Sequence, residues 1–186
     1  MALEYGTDEW EAGYQAVVAE RRKKPPPYLY FSPEWAALWE KAVREDEQYR
    51  EAAKDWEGTV VLHVEAAPEY GLVIDLYLLM DLWHGDCRSM RFVPIEVGET
   101  GDFIISGSLE RWTQIGKKEL DITKGMMQGK IKLKGDLPTI VRAIKASTRL
   151  TDISVEVGGI FPTEFTDEQK DEIKSLCEEL SEKFLG

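Results

Sequence analysis

The stretch Lys124-Gly-Met-Met-Gln-Gly-Lys-Ile-Lys-Leu-Lys-Gly-Asp136 determines the expected fold of this chain. Within it, Ile131 and Leu133 alternate with lysines, which is typical of a strand with one buried and one solvent-facing side. A Gly-Asp pair ends that strand, and an amphipathic helix is predicted over residues 137–150. Upstream, Ser108 can cap another helix. A strand placed between helices predicts a mixed α/β (α+β) fold, because helices must cover one face of the sheet.

Four more strands are predicted upstream of this stretch, each rich in Val, Ile, Leu and aromatic residues. They span residues 59–65, 71–83, 88–97 and 102–106. The connections between them are short, which predicts antiparallel hairpins, the last of them at residues 98–101. In the second strand, alternate residues from Leu72 to Leu82 form the expected core face. With residues 130–134, these segments predict a five-stranded, mostly antiparallel sheet.

Both ends of the chain carry helix signals of their own. Thr7 can cap a helix that stops at Pro25-Pro26-Pro27, a stiff spacer, so this helix is expected to stand apart from the core, against a partner or another face. Near the other end, the segment Ile153-Ser-Val-Glu-Val157 alternates apolar and polar residues. Thr166 and Gln169 then form a capping box for a last amphipathic helix.

Composition limits the classes of partner. The chain has 186 residues and a net charge of −12, which disfavours binding to nucleic acid, and its size suits one domain with appendages. Between Lys117 and Lys134, six lysines and two acidic residues give a local charge of +4. Two interpretations stay open: a patch that attracts the anionic head of a fatty acid or acyl-CoA, or a solvated strand face.

No apolar run is long enough for a membrane span, and the start of the sequence does not resemble a signal peptide. A cytoplasmic protein is therefore expected. Two cysteines, Cys87 and Cys177, are too few to suggest a disulfide framework.

The segment His84-Gly-Asp-Cys87 brings a nucleophile, a base and a carboxylate together. It lies between two predicted strands, where Gly-Asp is typical of a turn, and no oxyanion hole is evident. His63 lies on a predicted strand and is expected to have a structural role. The ligands for a zinc site are lacking, so no metal, no cofactor and no catalytic residue are expected.

A family resemblance extends over residues 28–150. The segments Gln128-Gly-Lys-Ile-Lys-Leu-Lys-Gly-Asp136 and Ser106-Gly-Ser-Leu-Glu-Arg-Trp112 resemble the second half of the sterol carrier protein type two domain. Trp35-Ala-Ala-Leu-Trp39 and Asp55-Trp-Glu-Gly-Thr59 extend the similarity. Residues 1–27 and 151–186 lie outside it, as an N-terminal helix with its proline spacer and a C-terminal extension.

The resemblance implies a curved sheet that is covered by helices around an apolar tunnel. The residues expected to bind lipid there are Leu78, Met80, Phe92, Trp112, Ile115, Met126, Met127, Ile140, Val141 and Ile144. Periodicity alone favours a solid core for the two methionines, and the resemblance is what moves them to the tunnel wall. Phe184 and Leu180 of the last helix are candidates to close the mouth of the tunnel.

The resulting functional hypothesis is non-catalytic binding of an apolar lipid, such as a fatty acid, acyl-CoA or sterol, with transfer or presentation as its purpose. The alternative is an assembly or scaffold protein whose terminal helices bind a partner subunit, a second copy or an enzyme. A thiol enzyme that uses Cys87 or Cys177 ranks last.

Overall fold

A single sheet of five strands forms the centre of the computed structural model, which describes residues Met1–Gly186. The strands are β1 (Glu57–Val64), β2 (Leu76–Trp83), β3 (Asp86–Phe92), β4 (Phe103–Gly107) and β5 (Lys132–Lys134). Their order is β3-β2-β1-β4-β5; β1 and β4 are parallel and all other neighbours are antiparallel. The predicted α/β class and the mostly antiparallel sheet are confirmed.

One predicted hairpin is wrong. Residues 94–98 do not continue β3, because Pro94 has no N–H to donate to a strand partner; the chain turns there into a short helix, α4 (Ile95–Gly98). This helix carries the chain to the free edge of β1, where β4 pairs in parallel. The connection at residues 98–101 is therefore part of a crossover.

Eight other α-helices surround the sheet. They are α1 (Asp8–Arg21), α2 (Pro33–Arg44), α3 (Glu47–Ala52), α5 (Leu109–Gly116), α6 (Ile122–Met127), α7 (Leu137–Arg142), α8 (Ile144–Val157) and α9 (Asp167–Leu180). The side chains of Thr7, Ser108 and Thr166 each accept a hydrogen bond from the backbone of the first turn, and Gln169 completes the capping box. These predicted helix starts are confirmed.

The helix predicted over residues 137–150 is two helices. The break lies at Ala143, whose N–H is shared among three carbonyl groups in a tightened turn. The alternating segment that ends at Val157 belongs to α8 rather than to a strand. Ile153 and Val157 are four residues apart, so they also lie on one face of a helix. A run of five residues is too short to distinguish the strand period from the helix period.

Most of the helices cover one face of the sheet, here called the inner face; α4 instead packs against Tyr77 on the opposite, outer face. Leu76, Leu78, Met80 and Leu82 of β2 point into this core, as the alternation predicts, and each is at most 3% exposed. The outer face carries a smaller apolar cluster of Val61, Tyr77, Val93 and Ile104. No helix is both long enough and apolar enough to cross a bilayer.

The N-terminal helix packs on the core, so the prediction that it stands apart is wrong. Trp10 and Tyr14 are each 1% exposed, and the Tyr14 hydroxyl accepts a 3.0 Å hydrogen bond from the Phe92 N–H of β3. The Trp10 indole N–H donates to the Phe184 carbonyl oxygen at 3.1 Å. Burial raises the pKa of Tyr14, which keeps this phenol protonated. The apolar face of α1 therefore meets the sheet and the C-terminus of its own chain.

The C-terminal helix packs on the connection between β1 and β2. Gly71 has a φ of +90°, and a Cβ atom there would lie 2.3 Å from the Lys170 carbonyl oxygen of α9. Only glycine suits both the backbone conformation and this close approach. The predicted boundary between residues 150 and 151 falls within α8, and one apolar cluster extends from Trp10 to Leu185.

Candidate functional site

An apolar cavity lies between the inner face of the sheet and the covering helices. Of the 23 residues that line it, 19 are hydrophobic. The sheet supplies one wall through alternate, inward-facing positions of three strands: Val60, Leu62, Met80, Leu82 and Ile105. Strand periodicity therefore determines which side chains reach the cavity.

Aromatic side chains from α2 and the segments around it form a second wall. They are Tyr30, Phe31, Trp35, Trp39, Tyr49 and Trp56. The rings of Tyr30 and Trp35 are in contact in a tilted arrangement, with centroids 4.3 Å apart, and the centroids of Trp35 and Trp39 are 5.2 Å apart. We expect this wall to move little when a ligand enters, because large rings in mutual contact have few alternative rotamers.

The remaining wall comes from α5 to α8. Trp112, Ile115 and Gly116 belong to α5, while Ile122, Met126 and Ile140 come from α6 and α7. The α8 side chains Ser147, Thr151 and Ser154 also line the cavity, but each hydroxyl donates to a backbone carbonyl of α8, at 3.2, 3.1 and 2.7 Å respectively. These hydroxyls therefore present little unsatisfied polarity to a ligand.

Helix α8 is held over the cavity by an ion pair with the start of α3. Arg149 Nε lies 3.1 Å from Asp46 Oδ1, and this hydrogen bond holds the pKa of Asp46 below its ordinary value. The ionised carboxylate is thus favoured in the folded state. The stability contributed by the pair is complete above the unfolded pKa of about 4 and is lost as the pH falls through the lower folded value.

The cavity offers about 90 Å³ to the centre of a water-sized sphere. This exceeds the roughly 10–15 Å³ that one water requires but is less than the roughly 150 Å³ of a cavity that holds benzene. A long alkyl chain therefore enters only if wall side chains move outward. Met80 and Met126, which lie on opposite walls, are suited to such movement because methionine has three flexible side-chain bonds.

No charged residue lines the cavity. The lysines of the basic stretch, including Lys124, Lys130 and Lys132, are exposed and lie outside the lining. An ionic head group inside would have no counter-ion, and burying such a charge is strongly unfavourable. The interior is therefore suited to neutral, mostly apolar groups, and the ionised head group of a fatty acid or acyl-CoA would have to stay outside it.

Half of the residues predicted to bind lipid lie on the cavity wall: Met80, Trp112, Ile115, Met126 and Ile140. Leu78 and Phe92 do not, although they are 1% and 0% exposed. They pair across β2 and β3, and Tyr14 of α1 bonds to the Phe92 N–H. The docked N-terminal helix thus fills the space next to this part of the sheet.

Met127, Val141 and Ile144 are predicted on the wall and are instead exposed, by 67%, 39% and 42%. Successive helix residues are rotated by about 100°, so Met126 and Met127 cannot both face inward, and the same holds for Ile140 and Val141. The break at Ala143 turns Ile144 outward. Leu180 and Phe184 are also absent from the lining; Phe184 packs against Trp10 and Tyr14, so neither closes a mouth.

The aromatic wall is a part of the cavity lining that the sequence did not lead us to predict. Trp35 and Trp39 fit core packing equally well, because their i, i+4 spacing suits either role. The one signal in the sequence that could have placed them on the cavity wall is that both lie in a segment that carries the family resemblance.

Cys87 lies on β3, directly after the turn at His84-Gly85, and is not an activated nucleophile. Burial raises the pKa of the Cys87 thiol to about 12 and that of Cys177 to about 11, so both stay protonated at neutral pH. His84 Nε2 instead lies 2.7 Å from Glu57 Oε1, a partner on β1. The turn has the properties of a structural connection.

A Ser-His-Asp cluster lies on the outer face of the sheet, where sequence reasoning expected a structural histidine. His63 Nδ1 lies 2.9 Å from Ser106 Oγ, and Nε2 lies 2.8 Å from Asp75 Oδ2. Asp75 Oδ1 also accepts the Ala66 N–H at 2.9 Å, and the imidazole stacks on Tyr77 at 4.3 Å. The cluster is on the opposite side of the sheet from the cavity and ties the β1–β2 connection to β4.

Comparison with known proteins agrees with this geometry. The family model described as "SCP-2 sterol transfer family" matches residues 39–145. A crystal structure of sterol carrier protein 2 is 31% identical, with a TM-score of 0.61, and the match covers 67% of this chain and 96% of that one. A conserved hypothetical protein from Thermus thermophilus, solved in solution, is also 31% identical, with a TM-score of 0.63 and coverage of 70% and 90%. No curated protein matches the chain.

Proposed function

Because the chain belongs to the SCP-2 sterol transfer family, we propose that it binds one long-chain apolar lipid in the cavity. Binding serves transfer of the lipid or its presentation to another protein, without chemistry on it. The observation that carries this proposal is the cavity itself, with 19 hydrophobic residues among 23 and no charged side chain. Fatty acids, acyl-CoA and sterol-like molecules are the candidate ligand classes.

The hydrophobic effect is large enough to account for such binding. Burial of an alkyl chain contributes about 0.8 kcal/mol per CH₂, so fifteen methylenes give roughly 12 kcal/mol before costs. Association, ordering of the chain and displacement of the wall side chains subtract several kcal/mol. The remainder, several kcal/mol below about 12 kcal/mol, corresponds to a dissociation constant in the micromolar range.

The basis for a scaffold function is weaker in the structure than in the sequence. That hypothesis needs terminal helices with free apolar faces. Trp10 and Tyr14 of α1 and Leu180 of α9 are instead each 1% exposed within their own chain. The terminal helices therefore support the domain, and we propose no partner subunit for them.

A non-catalytic role predicts that Cys87 and the neighbouring His84 are dispensable for ligand binding. Cys87→Ser and His84→Ala should leave the dissociation constant for a fluorescent fatty acid unchanged per folded molecule, because neither residue lines the cavity. Cys87→Ser should lower the melting temperature, since it buries a hydroxyl where a thiol packs at 2% exposure. If either variant lost a lipid-dependent activity while its folding and ligand affinity were unchanged, the result would support the enzyme hypothesis instead.

The direct test of the proposed function is titration of delipidated protein with fluorescent analogues of a fatty acid, an acyl-CoA and a sterol. At least one should bind saturably with a dissociation constant below about 100 μM, or about 5.5 kcal/mol. Excess unlabelled lipid of the same class should displace it. Failure of all three to saturate would contradict lipid binding.

A further inference from the structure

One buried hydrogen-bond donor on the cavity wall has no partner within the protein. Trp35 is 2% exposed, and its indole Nε1 is one of two buried side-chain polar atoms that make no hydrogen bond. The other, Thr123 Oγ1, belongs to a residue outside the cavity lining. A buried donor left unpaired destabilises the folded protein, so such groups are rare without a functional reason.

The other tryptophans show that this is not a general property of the chain. Four of them donate their indole N–H to a backbone carbonyl, at 2.9 to 3.1 Å: Trp10, Trp39, Trp56 and Trp112. Trp83 is 42% exposed. Trp35 is thus the one buried tryptophan whose N–H is unpaired, and it lines the cavity.

A second incompletely bonded group lies beside Trp35. The Tyr30 ring contacts the Trp35 indole in a tilted arrangement, with centroids 4.3 Å apart, and Tyr30 also borders the cavity. The one hydrogen bond of its hydroxyl, to Ser154 Oγ, is long at 3.4 Å. Ser154 already donates to the Thr151 carbonyl at 2.7 Å, so it acts here as an acceptor only. Trp35 and Tyr30 together form a small polar end in an otherwise apolar cavity.

We propose that the cavity ligand carries a neutral oxygen acceptor, an ester or ketone carbonyl or a hydroxyl, which accepts a hydrogen bond from Trp35 Nε1. This assignment rests on the proposed function and adds the ligand's head-group chemistry to it. An unpaired N–H favours a ligand with an acceptor atom, because an alkane in the same place would leave the N–H without a hydrogen bond. An ionised carboxylate at the same point would be buried without any cation, because no Lys, Arg or His lines the cavity.

The test uses three small competitors of equal chain length, 2-decanone, decane and decanoate, against a bound fluorescent fatty acid. Each is compared on the wild type and on Trp35→Phe, so that the intrinsic hydrophobicity of each competitor cancels. Trp35→Phe should weaken 2-decanone about three- to tenfold, the range expected for one hydrogen bond, and leave decane unchanged. At neutral pH, 2-decanone should bind the wild type more tightly than decanoate.

Trp39→Phe is the matched control. This tryptophan also lines the cavity, but its N–H is already bound to the Leu150 carbonyl oxygen at 3.1 Å. Trp39→Phe should change the affinities for 2-decanone and decane by the same factor. If Trp35→Phe changed the affinities for 2-decanone and decane equally, or changed neither, the assignment would be overturned. An equal loss for decanoate and 2-decanone would overturn its restriction to neutral acceptors.

If Trp35→Phe does not fold, a measurement on the wild type tests whether Trp35 Nε1 donates a hydrogen bond to the ligand. The indole ¹H–¹⁵N resonance of Trp35, assigned by elimination with Trp→Phe variants at the other positions, should move downfield with 2-decanone and not with decane. Identical shifts with both would overturn the assignment. If the fluorescent fatty acid binds but 2-decanone does not, only this assignment fails; if nothing binds, the proposed function fails with it.

Discussion

Replacement of Met126 by Trp is expected to lower the affinity for a long-chain fluorescent fatty acid at least tenfold, or about 1.4 kcal/mol. Met126 is 8% exposed and lies on the cavity wall. A larger ring there occupies space that the ligand needs. The melting temperature should stay level or rise, because the indole gains contacts that the cavity lacks.

Met127→Trp is the matched control for this change. The two residues are neighbours on α6, but Met127 is 67% exposed and outside the lining. Its substitution should alter neither affinity nor stability. If Met126 lay in close-packed core instead, its replacement would cost about 1–3 kcal/mol of stability. Destabilisation with unchanged affinity per folded molecule would refute its place on the binding wall.

Trp10→Ala is expected to lower the free energy of unfolding by about 3–5 kcal/mol. The Trp10 ring stacks on Tyr14 at 5.0 Å, meets Phe184 edge-on at 5.9 Å, and donates its N–H to the Phe184 carbonyl. One side chain thus joins both ends of the chain to the core. Urea unfolding monitored by circular dichroism measures the effect.

Trp83→Ala provides the comparison for Trp10→Ala. Trp83 is 42% exposed at the end of β2, so its loss should cost much less. Because Trp10 does not line the cavity, Trp10→Ala should leave ligand affinity per folded molecule unchanged. Equal destabilisation by the two substitutions would contradict the packing of the N-terminal helix on the core.

Local signals in the sequence predicted most of the helices and strands. The hydroxyls of Thr7, Ser108 and Thr166 each cap a helix where the sequence places one, since a capping bond depends only on residues three positions apart. Alternation likewise identified the inward face of β2, because side chains on a strand point to opposite faces.

Long-range placement could not be predicted in this way. Nothing local to residues 103–107 indicates that β4 pairs with β1 rather than with β3. The tri-proline segment suggested a separate helix, but whether Trp10 meets solvent, a partner or its own core depends on residues as distant as Phe184. Spacing alone also cannot tell a cavity wall from solid core, since both require buried apolar side chains, as Trp35 and Trp39 show.

The most direct test of the central claim is native mass spectrometry of delipidated protein after incubation with a long-chain fatty acid, with the wild type and Met126→Trp measured side by side. We expect one bound lipid per wild-type chain and little or none on the variant. Ligand-free wild-type protein would contradict the claim that this cavity binds lipid, as would the same series of weak adducts on both proteins.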